Sequence, residues 1–122
     1  MRKEENFLEQ QLGDKRISVL KTYDTIFARE SFDQMTPDAL GTLAATLDLS
    51  GRFDSQDIPA ANDDAFPEFL WEVIKDDARE DWNSFSYFVV TERLRDRTTA
   101  LYVSPDWPSA EAFANATILV TA

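Results

Sequence analysis

Apolar spacing along this sequence changes from helical to strand-like about two-thirds of the way through, and that change predicts an α+β fold. In three segments up to about residue 81, apolar residues recur every three or four positions. From Ser84 to Leu94 the composition becomes β-branched and aromatic, with Phe85, Tyr87, Phe88, Val89, Val90 and Thr91. A break at Arg95-Asp96-Arg97 then precedes a second such run, Thr98 to Ser104, which makes a hairpin. The expected domain has N-terminal helices, then the β-hairpin, a short helix and a final strand. These form a small, mainly antiparallel sheet packed by helices.

The elements follow in order. Leu8, Leu12, Ile17, Leu20, Tyr23 and Phe27 suggest an amphipathic helix from about Glu4 to Arg29, or two helices broken at Gly13-Asp14. Thr36 suits an N-cap and Pro37 the first helical position, where a missing N–H is harmless. Leu40, Leu43, Ala44 and Leu47 continue that second helix, and Gly51 is placed to close it in a left-handed conformation. Residues 52–63 lack periodicity and read as a loop. A third helix is expected from near Pro67 to about Asp81, with Phe66, Leu70, Val73 and Ile74 on its inner face. Asp77 would fall among those apolar positions, which argues for an end near it. Trp82 reads as core together with Phe85, Tyr87 and Phe88. After Pro105-Asp106-Trp107-Pro108, Ser109 to Asn115 suggests a short helix and Thr117 to Val120 a last strand.

Size and composition narrow the classes of function. The 122 residues fit a single domain, spanning 1–122, with an adequate apolar core. Cysteine is absent, so there are no disulfides and no thiolate metal sites. Histidine is absent too, which removes the commonest general base and the commonest metal ligand. The charged start Met1-Arg2-Lys3-Glu4-Glu5 is unlike a secretory leader, and no apolar run is long enough to span a bilayer. A soluble, cytoplasmic protein is expected.

Three glycines cannot supply either phosphate-binding loop pattern, and G-x-S-x-G does not occur. Asp54-Ser55-Gln56-Asp57 lacks the spacing of a calcium loop. No catalytic residue, cofactor or metal is predicted, and binding is favoured over catalysis. Arg93, Arg95 and Arg97 read as edge protection, or else as a contact for an acidic surface.

The net charge is −11 and is unevenly spread: −1 over residues 1–34, −9 over 35–83 and −1 over 84–122. Such a chain is repelled by nucleic acid and anionic membranes and attracted to basic partners. Within the acidic third, Asp64, Glu68, Glu72, Asp76 and Glu80 fall at successive i+4 steps, roughly 6 Å apart along a helix. Phe69 and Trp71 are expected to border this row as aromatic anchors of a protein interface.

The reading that follows is an acidic inhibitor or neutraliser of a basic protein such as a toxin, nuclease or other nucleic-acid-binding protein. Immunity proteins, antitoxins and phage or plasmid anti-defence proteins are the comparable types, by composition alone, and nucleic-acid mimicry is one route. The alternative is an adaptor or secretion-type chaperone that binds a client and forms a homodimer. A carboxylate enzyme using a divalent metal stands third.

Overall fold

The computed structural model describes residues 5–121. The charged start Met1 to Glu4, on which the leader argument rests, lies outside them. Along the chain come β1 (Glu5–Leu12), β2 (Lys15–Thr22), α1 (Thr25–Phe32), α2 (Pro37–Thr46) and α3 (Leu49–Arg52). A 3-10 turn at Ser55–Asp57 leads to α4 (Ala65–Asp77). Then follow β3 (Arg79–Asp81), β4 (Ser84–Phe85), β5 (Tyr87–Leu94), β6 (Arg97–Ser104) and α5 (Trp107–Thr121). The fold is α+β, with a four-stranded antiparallel sheet of order β1-β2-β5-β6 and helices packed on it.

The first correction is at the start of the chain, where a hairpin replaces the expected long helix. Gly13-Asp14 is a two-residue turn between Leu12 and Lys15, with Gly13 at φ 62°, as a glycine-first hairpin turn requires. The same apolar residues also fit a period of two: Leu8 pairs with Val19, and Gln10 with Ile17. Packing on the neighbouring strand decided between the periods. Helix begins only at Thr25, where Asp24 Oδ1 accepts from the Ile26 and Phe27 N–H groups at 2.9 and 3.2 Å.

The sheet is covered on both sides, which explains the continuous apolar run in β5. Cross-strand partners share a face. Tyr87 and Val89, with Leu20 and Val103, turn towards α1 and α4, where Trp71 stacks on Tyr87 at 5.6 Å and an 11° interplanar angle. Phe88 and Val90, with Val19 and Tyr102, turn towards α5. There Phe88 meets Trp107, and Tyr102 stacks on Phe113 at 4.3 Å. The β5–β6 hairpin turns through Arg95-Asp96, as expected, with Arg95 at φ 59°.

The second helix forms as predicted, with Thr36 Oγ1 accepting from Ala39 N–H at 3.1 Å. Its end differs: Asp48, not Gly51, takes the left-handed conformation (φ 51°), and Gly51 lies inside α3. Aspartate is among the few residues with a side chain that enter that region readily.

The third correction is the expected last strand, which is part of α5. Asp106 caps that helix, with Oδ2 accepting from Ser109 N–H at 3.0 Å. Buried Ala110 and Ala114 let it pack across all four strands. This tertiary burial outweighs the strand preference of Thr117, Ile118 and Val120.

Candidate protein-binding surface

Helix α4 starts two residues earlier than expected and ends at Asp77. Asp63 Oδ1 accepts from Ala65 N–H at 2.8 Å and secures the first turn. Phe66, Leu70, Val73 and Ile74 are buried, as their spacing required. Asp64, at the N-cap position, and Glu68, Glu72 and Asp76 along the helix are all exposed, at i+4 steps on its outer side. Glu80 is not part of this row. The chain leaves the helix at Ala78, and Glu80 sits on β3, where it accepts from Ser86 Oγ at 2.9 Å and meets Lys21 Nζ at 3.2 Å.

Part of the row is neutralised by ion pairs. Arg29 donates two hydrogen bonds to Glu68, at 2.8 and 3.2 Å, and these hold its carboxyl below the usual glutamate range. Lys75 lies 2.9 Å from Glu72. Asp77, just off the row, is held bidentately by Arg52 at 2.8 Å, and Asp48 and Asp76 also lie within its field.

Seven acids of the 35–83 segment stay clear of ion pairs among the described residues: Asp38, Asp48, Asp54, Asp57, Asp63, Asp64 and Asp76. All are exposed. Their field therefore runs from α2 through the loop before α4 and onto the outer side of α4. The sequence pointed to the helical row, but the loop before it contributes more unpaired charge. No periodicity marks a loop, so the row was the more visible feature.

The aromatic residues are assigned differently from the sequence expectation. Trp71 is only 5% exposed, enclosed by Tyr87, Phe32 and the Arg29 guanidinium at ring distances of 5.3–5.6 Å. It faces the sheet, one position beyond Leu70 on the inner side, and is not a free anchor. Phe69 is half-buried, with its ring 5.1 Å from Phe53. Trp82 is the reverse case. Expected in the core, it is 86% exposed, at the tip of the two-residue turn joining β3 to β4. Arg79 fixes that turn by donating to Trp82 O at 3.0 Å while lying over the Phe85 ring. Asp81 Oδ1 accepts from Asn83 N–H at 2.8 Å.

Two features are thus exposed: carboxylates that form no ion pair among the described residues, and the Trp82 indole on its own turn. Among the described residues, no group of three or more carboxylates is arranged to hold a metal ion, and no helix is long and apolar enough to cross a membrane. Compared with known protein families, curated proteins and solved structures, the chain matches none of them.

Proposed function

We propose that this protein binds a basic protein partner and neutralises it, in the manner of an immunity, antitoxin or anti-defence protein. The observation that carries this reading is the field of seven exposed aspartates that form no ion pair among the described residues. Like charges held together raise the energy of the free protein, and a basic partner relieves that repulsion as it binds. Trp82 supplies an aromatic anchor on a pinned turn, and tryptophan is enriched among residues that dominate binding energy.

Imitation of nucleic acid is one form this binding takes. The row Asp64, Glu68, Glu72, Asp76 advances about 6 Å per step, near every second phosphate of a strand with about 3.4 Å between phosphates. Affinity capture from the native host tests the proposal. A retained basic protein, eluted by salt, supports it; retention of acidic or neutral proteins only, through contacts indifferent to salt, contradicts it.

A second reading, the dimeric adaptor, is favoured by a different feature, the exposed Leu119 and Val120 near the end of α5.

A further inference from the structure

The two long hairpins turn at the same end of the main sheet, where Lys15 pairs with Leu94. Their tips share a pocket of about 270 Å³ lined by Gln11, Asp14, Arg16, Arg93 and Arg95. Arg16 and Arg93 are direct cross-strand partners on β2 and β5. Like charges set opposite each other destabilise a sheet. Edge protection does not account for the pair, because both strands lie inside the sheet. Arg95 follows in the β5–β6 turn at φ 59°, a conformation that glycine adopts at lower cost.

Both guanidiniums of the pair are braced. Arg16 Nε donates to Gln11 Oε1 at 3.2 Å, and the Gln11 amide in turn donates to Gly13 O at 2.7 Å. Arg93 Nε donates to Arg95 O at 3.1 Å. These bonds use Nε and leave the terminal nitrogens, a forked pair suited to oxyanions, for a ligand. Among the described residues Arg93 and Arg95 form no ion pair, and Arg16 has only a long contact of 3.9 Å with Glu9.

We propose that this pocket binds the phosphate group of a small ligand. Three guanidiniums and the Asp14 carboxylate give its lining a net charge of +2. A phosphate monoester carries about −1.5 to −2 at neutral pH and offers three acceptor oxygens. A carboxylate brings one charge and two oxygens, enough for one guanidinium fork. The chain's net charge of −11 decides the size of the ligand. Charges beyond about 8 Å are largely screened at physiological ionic strength, so a small ligand is held by the local arginines. A nucleic-acid strand reaches past the pocket and meets the chain's own negative charge. The pocket draws on residues 11–16 and 93–95 and shares none with the acidic field, so it stands whether or not that field binds a basic partner. A bound phosphate also relieves the Arg16–Arg93 repulsion.

Titration of the isotope-labelled chain with inorganic phosphate, at an ionic strength held constant with chloride and read by nuclear magnetic resonance, tests the proposal. Expected are saturable shifts of the Arg16 and Arg93 Nε–H signals, with a midpoint on the order of a millimolar and tighter binding of pyrophosphate. Arg16→Gln and Arg93→Gln each weaken binding by about tenfold or more. Without phosphate both variants melt at or above the parent, since the cross-strand repulsion is gone, which separates lost binding from lost folding. Arg97→Gln removes the same charge from the same hairpin outside the pocket lining, and leaves binding within about twofold. Shifts that grow without saturation overturn the proposal, as does an Arg97→Gln effect as large as that of Arg93→Gln, because either reduces the cluster to diffuse charge. A short single-stranded oligonucleotide that binds more tightly than pyrophosphate overturns it too, and assigns the pocket to nucleic acid.

Discussion

Trp71 and Trp82 provide the sharpest contrast between packing and presentation. Trp71→Ala removes an indole that is 5% exposed and touches Tyr87, Phe32 and Arg29. Truncation of a buried tryptophan costs about 3–5 kcal/mol, through lost transfer energy and the cavity left behind. That is a large share of the roughly 5–15 kcal/mol that holds a typical domain together. Trp82→Ala removes a side chain that is 86% exposed, and exposed substitutions stay within about 0.5 kcal/mol. Urea titration followed by far-ultraviolet circular dichroism measures both. The expected result is a midpoint far lower for Trp71→Ala and unchanged for Trp82→Ala. With a partner in hand the order reverses: Trp82→Ala speeds dissociation, while any effect of Trp71→Ala follows its loss of folded protein. Equal midpoints for Trp71→Ala and the parent would refute the placement of Trp71 in the core.

Other expected outcomes are independent of any partner. Val89→Asp puts a carboxylate at a fully buried position of β5, with no partner charge, and costs about 4 kcal/mol or more; a soluble variant with the parental melting curve contradicts that. Arg95→Gly relieves a left-handed residue at φ 59° in the hairpin turn and raises stability by up to about 1 kcal/mol by urea titration. Burial pushes the Tyr87 and Tyr102 phenols above the ordinary tyrosine value. Above about pH 10 the unfolded chain therefore releases these protons first, and stability falls as pH rises towards the folded values. Tyr102→Phe flattens part of that alkaline slope in melts taken across the range.

The sequence revealed those elements whose local signals agreed with their packing. Thr36-Pro37 marked the start of α2, and the aromatic, β-branched run marked β5 because composition and burial pointed the same way. The N-terminal hairpin was hidden because Leu8, Leu12, Ile17 and Leu20 fit both a helical and an alternating period. Pairing with β5, some seventy residues further along the chain, settles which period is used, and no local window contains that information. The reverse happened at Thr117 to Val120, where strand-forming residues follow a capped, alanine-rich helix that packs across the sheet. For the surface, the acidic row of α4 was legible as spacing. Three determinants were not: Glu68 is engaged by Arg29 from a helix distant in sequence, Asp54, Asp57 and Asp63 lie in a loop without period, and Trp82 sits on a turn that looked like the start of the core.

The central claim is that the acidic field makes the contact with a basic partner. Binding of the captured partner to the parent and to a triple charge reversal tests it most directly. Asp54→Lys, Asp57→Lys and Asp76→Lys combine the reversal without removing either partner of the Arg29–Glu68 or Arg52–Asp77 pairs or of the Asp63 hydrogen bond at α4. Measured at low and high salt, with circular dichroism showing an intact fold, the parent should bind more tightly at low salt. The variant should lose about tenfold or more at low salt and much of the salt dependence with it. A folded variant that binds as tightly as the parent, with the same salt dependence, would contradict the account.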